Sequence, residues 1–133
     1  MRAKLWLFPI AGLMLAGSMA HAASATLAEC KQFSAEANKN FPQTVDKITV
    51  LETTECIAGA KKPKLVYHYK LLVAKSKLKK DFVGALRGSQ TKTLCTAQKQ
   101  LLSMVDISFR YIEKDGLNMG EINHSMDECA AVK

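Results

Sequence analysis

The sequence predicts an α+β fold, a two-layer sandwich in the order α-β-β-α-β-β with two helices on one face of a four-stranded antiparallel sheet. Three observations lead to it. Residues 64–73 and 107–112 alternate large apolar with polar side chains, the two-residue period of a half-buried strand. Residues 26–40 and 78–105 repeat apolar residues every three or four positions, the period of an amphipathic helix. Asp115-Gly116 separates the second alternating stretch from residues 117–124, and Asp-Gly is a strong hairpin signal because the tight turn needs positive φ. One face of an antiparallel sheet is then where both helices can bury their stripes.

In chain order, residues 1–22 read as a cleaved signal peptide. Arg2 and Lys4 precede an apolar run over residues 5–16, and Ala20-His21-Ala22 supplies a small-x-small site, so cleavage is expected after Ala22. The apolar run is too short to cross a bilayer and is interrupted by Pro9, so the chain is not expected to span a membrane. Residues 23–133 then form a single disulfide-stapled domain, exported to the periplasm or the medium. Removing the two basic residues of the leader takes the net charge from +7 to +5.

Residues 26–40 are the first helix, with Leu27, Cys30, Phe33, Ala37 and Phe41 along one stripe and a Thr26/Glu29 capping box at its start. Asn40 ends it, because the residues before Pro42 are pushed out of the α region. Residues 47–57 are the first strand, with Ile48, Val50 and Thr54 on one face and Thr49, Leu51 and Thr53 on the other. Asp46 at its start reads as a turn former. After a turn at residues 59–63, Leu65, Tyr67, Tyr69 and Leu71 define the buried side of the second strand; Val66, His68, Lys70 and Leu72 define the more exposed side. Leu78, Phe82, Ala85, Leu86, Leu94, Ala97, Leu101 and Val105 mark the second helix, whose weak point is Arg87-Gly88-Ser89.

Cys30, Cys56, Cys95 and Cys129 all lie beyond the leader, and an even count in an exported chain implies disulfides. No pair has Cys-x-x-Cys spacing, which argues against a thioredoxin-type motif or a zinc knuckle. Laying each helix antiparallel to the strands that follow it brings Cys30 level with Cys56 and returns Cys129 toward Cys95. These are the expected pairs.

The basic residues bunch at Lys61, Lys62 and Lys64 and again at Lys75, Lys77, Lys79 and Lys80. Both groups are candidate partner-binding residues for an acidic protein or an anionic envelope surface. Nucleic acid is disfavoured by export and by the absence of aromatic residues interleaved with the lysines. There is no Gly-x-Ser-x-Gly, the cysteines are accounted for by pairing, and Asp46 has no catalytic partner nearby, so no enzyme, cofactor or metal is assigned. The expected function is a non-enzymatic envelope protein that binds a macromolecule, either an inhibitor or immunity-type protein or an accessory factor of secretion or surface assembly. The alternative is a small-ligand or metal-binding protein using His68 and His124, both expected on the sheet face away from the helices.

The pieces in sequence are Phe41-Pro42-x-x-Val45-Asp46-x-x-Thr49-x-Leu51, Tyr67-x-Tyr69-x-Leu71, Leu86-Arg87, Cys95, Phe109-x-Tyr111-x-x-x-Asp115-Gly116 and Cys129. Their order and spacing resemble a group of small exported proteins of Gram-negative bacteria, largely uncharacterised. The resemblance implies an envelope protein without an assigned enzymatic activity. The chain departs from that group in lacking a polar, turn-like segment directly after Cys95, which implies a different end to the second helix.

Overall fold

A computed structural model of the chain describes residues 25–131, so the leader and its cleavage point lie outside the described residues. Helix α1 (Leu27–Asn38) starts at the capping box read from sequence. Glu29 N donates to Thr26 Oγ1 at 3.1 Å and Thr26 N donates to Glu29 Oε1 at 2.9 Å. It buries Cys30, Phe33, Ser34 and Ala37 and gives way to a cis Phe41–Pro42 bond. The strands are β1 (Gln43–Asp46), β2 (Thr49–Ile57), β3 (Lys64–Leu71), β4 (Asp106–Ile112) and β5 (Asn118–His124). Between β3 and β4 run a 3₁₀ turn at Lys75–Lys77 and helices α2 (Phe82–Thr96) and α3 (Lys99–Met104); a second 3₁₀ turn, Met126–Ala131, follows β5.

The α+β class holds, but the sheet has five strands and is mixed, where four antiparallel strands were expected. Its order is β1-β2-β3-β4-β5, and the β3–β4 pair is parallel, with Lys64 opposite Asp106 and Lys70 opposite Ile112. Length explains the parallel pair. Residues 72–105 form a helical crossover long enough to carry the chain back to the end where β3 began, as parallel neighbours require. Asp106 N donates to Pro63 O at 3.0 Å and sets the register there. The fifth strand arises because residues 43–57 are a hairpin. Asp46 Oδ1 accepts from Ile48 N at 3.0 Å, an Asx turn that folds β1 back onto β2.

A bulge corrects the assignment of faces in β2. The β2–β3 register slips between Leu51 and Thr53, so one extra residue enters β2 and the alternation changes phase. Thr49 and Leu51 are therefore buried on the same side as Thr54 and Cys56, although sequence alternation had grouped Thr54 with Ile48 and Val50. For the second helix, the weak point at Arg87-Gly88-Ser89 allowed either a break or a continuous helix, and the expected run to Val105 is interrupted further on. The helix passes through Gly88, whose absent side chain would meet nothing within 4 Å, and breaks at Ala97-Gln98. Near the break the Thr93 and Thr96 hydroxyls donate back to the Ser89 and Lys92 carbonyls, a habit that weakens a helix turn. The redirected α3 buries Leu101, Leu102 and Met104.

The core lies between the helices and one sheet face. Tyr67, Tyr69, Phe109 and Tyr111 form its centre, with Tyr69 and Tyr111 stacked at 5.0 Å and Tyr67 tilted against Phe109 at 5.0 Å. Disulfides Cys30–Cys56 and Cys95–Cys129 staple α1 to β2 and α2 to the closing turn. Where β1 stops, the outer side of β2 is taken over by a side chain: Asn38 Nδ2 donates to Thr54 O at 2.9 Å, and Asn38 Oδ1 accepts from Thr54 N at 2.8 Å.

Candidate functional site: a lysine-rimmed groove

The two histidines do not share a face, which removes the geometry of the ligand or metal alternative. His68 stands opposite Arg110 on the open side of the sheet, whereas His124 stands opposite Ile107 on the helix side and is 1% exposed. His124 Nδ1 lies 2.9 Å from Glu128 Oε1, its Nε2 lies 2.9 Å from the Gln90 amide, and Gln90 in turn reaches the Tyr111 hydroxyl at 2.8 Å. Burial pushes the His124 pKa below its ordinary value; the hydrogen bond and charge of Glu128 oppose this, and Arg87 adds to it. Gln90 bridges the two rings, its Oε1 facing His124 Nε2 and its Nε2 donating to the Tyr111 hydroxyl. This chain locks α2, β4, β5 and the closing turn together, which is a structural task.

The open sheet face is a ladder of charges that satisfy one another. Glu55 pairs with His68 at 2.7 Å, and Arg110 pairs with Glu121 at 3.1 Å. Glu121 also accepts from Ser108 at 2.7 Å and faces Lys64 at 3.9 Å. The Ser108 hydrogen bond, followed by Arg110 and Lys64, outweighs desolvation and holds the Glu121 carboxyl below the usual carboxylate range. Beneath the ladder Val66 and Ser108 are fully covered. In a shallow depression bounded by Glu52, Glu55, His68 and Arg110, Glu55 is engaged by both His68 and Arg110.

The lysines divide into two groups. Lys62 Nζ donates to the carbonyls of Leu102 and Ser103, both at 3.2 Å, and so caps the end of α3; Lys64 belongs to the ladder and also reaches Asn123 at 3.3 Å. Lys61 is exposed, as are Lys75, Lys77, Lys79 and Lys80, and no ion pair among the described residues engages any of these five. The crossover segment 72–105 carries Lys75, Lys77, Lys79, Lys80, Arg87, Lys92 and Lys99 against one acid, Asp81, whose carboxylate lies beside Gly84.

Lys75, Lys79 and Lys80 rim a groove floored by Leu78, Phe82, Val83 and, from β5, Met119. The floor residues are half-buried and rest on the core, Phe82 edge-on to Tyr111 at 6.2 Å. Glu113 sets the position of the rim. Its Oε2 accepts from Lys75 N at 3.2 Å, while Oε1 accepts from Asp115 N at 2.7 Å and Leu117 N at 3.2 Å. Desolvation favours the neutral acid, but these three backbone donors win and hold the Glu113 carboxyl below its ordinary range. One carboxylate thus ties the start of the crossover to the β4–β5 hairpin. Sequence reading took Leu78 and Phe82 as core stripe and singled out neither Met119 nor Glu113. The mixture of lysines and large apolar groups in Leu78-Lys79-Lys80-Asp81-Phe82-Val83 was the available signal.

No protein-family model matches this chain, and no curated protein matches it in sequence. Two solved structures share its fold. One is a "putative secreted protein" of Pseudomonas aeruginosa, with a TM-score of 0.62 at 9% identity, covering 77% of this chain and 91% of its own. The other is the pilotin EpsS of the Vibrio vulnificus type 2 secretion system, with a TM-score of 0.60 at 9% identity, covering 77% of this chain and 90% of its own. Neither is described as an enzyme. Two disulfides and neighbours of this kind are consistent with an exported bacterial protein. No helix among the described residues is long and apolar enough to cross a membrane.

Proposed function

We propose that this chain is an exported, non-enzymatic accessory protein of a secretion or surface assembly, acting by binding another protein in the envelope. The observation that carries the reading is the groove: unpaired lysines stand over half-buried apolar residues on one side of a molecule whose other charged clusters are internally satisfied. The pilotin and secreted-protein folds support the same compartment and class. Within this reading residues 1–22 direct export and are removed after Ala22, and residues 23–133 form one disulfide-stapled domain.

Two measurements test it. N-terminal sequencing should find Ala23 first in a periplasmic or secreted fraction; an intact Met1 in the cytosol would end the export reading. The oxidised chain should also retain one envelope protein in stoichiometric amount, and the complex should re-form from the two purified components. A chain that re-forms no such complex is not an accessory binder.

A further inference from the structure

We infer that the groove receives an acidic amphipathic segment of a protein partner, its apolar side on Leu78, Phe82, Val83 and Met119 and its carboxylates on Lys75, Lys79 and Lys80. This rests on the binding reading above and names the chemistry of the partner. Charge complementarity gives the sign. The rim lysines have no acidic partner in the described residues, Asp81 is turned to Gly84, and both oxygens of Glu113 are held by backbone donors. The floor gives the second requirement, because a purely acidic ligand would leave four half-buried apolar side chains wet.

Shape selects a peptide over the other polyanions. The apolar groups are half-buried against the core, whereas docking on an anionic bilayer needs apolar groups that project past the cations into the acyl boundary. Nucleic acid has no apolar face for Val83 and Met119, and no exposed ring stands among the lysines to stack a base. Strand addition to the edge strand β5 is disfavoured beside the groove: Gly120, at φ +119°, has its N–H taken by Asn118 Oδ1 at 2.8 Å, which blunts that edge. The occupant therefore lies in the groove through its side chains.

The test is selection of peptides from a random displayed library on the oxidised chain, followed by binding titrations of the selected peptides. Selected peptides should combine carboxylates with large apolar residues, bind more weakly as salt is raised, and shift the amide resonances of Val83 and Met119. The double variant Lys79→Glu/Lys80→Glu, which changes only exposed side chains, should weaken them by about tenfold or more. Val83→Glu should do the same, with the thermal midpoint of each variant reported beside it. Selected peptides without carboxylates, shifts confined to another face, or affinities untouched by the double variant would overturn the inference. So would either of two other occupants: adsorption to phosphatidylglycerol vesicles, or a dimer of this chain, abolished by these substitutions while no peptide is selected. A native envelope complex that survives both variants would sink the groove and leave the binding function standing. Acidic amphipathic peptides selected at the groove by a chain that re-forms no envelope complex would do the reverse.

Discussion

Replacing Asn38 by Ala tests the least expected contact in the fold. β1 pairs with β2 only from Thr49 to Leu51, and beyond the bulge the outward backbone groups of Thr54 are met by the Asn38 side chain. Asn38 Oδ1 also accepts from Thr54 Oγ1 at 2.9 Å, and that hydroxyl contacts Ser34 Oγ at 2.9 Å. Thr54 is 2% exposed, so water cannot replace Asn38 without opening the helix–sheet contact. Three side-chain hydrogen bonds at a net value of about 1 kcal/mol each give an expected loss of about 2–3 kcal/mol for Asn38→Ala. For a domain of this size that lowers the thermal midpoint by about 10 °C. Asn38→Asp keeps both acceptor contacts but sets a carboxylate oxygen against Thr54 O, so it should not restore stability. Urea unfolding of the oxidised proteins measures both. A loss below about 0.5 kcal/mol for Asn38→Ala, with an unchanged denaturant slope, would refute the idea that this side chain replaces a strand.

The buried histidine and the two disulfides each give a further expectation. Because burial lowers the folded-state pKa of His124, the unfolded chain takes up that proton first as pH falls; stability from His124 is complete above its unfolded value of about 6.5 and declines below it. The stability difference between the wild type and His124→Gln should accordingly shrink from pH 7.5 to pH 5, and a constant difference would contradict the buried neutral ring. By the loop-entropy model the disulfides close separations of 26 and 34 residues and stabilise the fold by about 3.5 and about 4 kcal/mol, so replacing either pair by serines should cost nearly that much in urea unfolding. A change under about 1 kcal/mol for either pair would mean that the unfolded chain is already constrained there.

How much of this was legible in the sequence depended on whether the signal was local. Thr26 and Glu29 declared the first helix because a capping box lies within one turn, and Asp115-Gly116 declared the last hairpin because positive φ at Gly116 is a one-residue requirement. The direction of β4 was not local. Nothing within residues 106–112 distinguishes a strand parallel to β3 from an antiparallel one; the length of the crossover and the Asp106–Pro63 contact decide it. The bulge near Thr53 was hidden for the same reason. Thr53 and Thr54 suit either face of a strand, and only Asn38 and Ser34 from the helix above draw Thr54 inward. His124 was misplaced because alternation gives a strand two faces without saying which one the helices cover; its pairing with Ile107 settles that.

The candidate site was half legible, and charge is what joins the halves. The lysine runs stand in plain view, but a run of lysines becomes a binding surface only if the acids of the same molecule are engaged elsewhere. Here six of the twelve acids are engaged by contacts away from the groove floor. Glu29 closes the first cap, Asp46 makes a turn, Glu55 and Glu121 belong to the open-face ladder, Glu113 accepts backbone donors, and Glu128 holds His124. Those six carboxylates are held by caps, turns and cross-strand contacts, while the lysines at the start of the crossover have no ion pair among the described residues. Exposed charges are screened beyond a Debye length of about 8 Å at physiological ionic strength, so the groove lysines act on a partner at short range. The crossover that makes β4 parallel to β3 therefore also carries the rim and most of the floor of the groove, and Met119 of the edge strand β5 completes it.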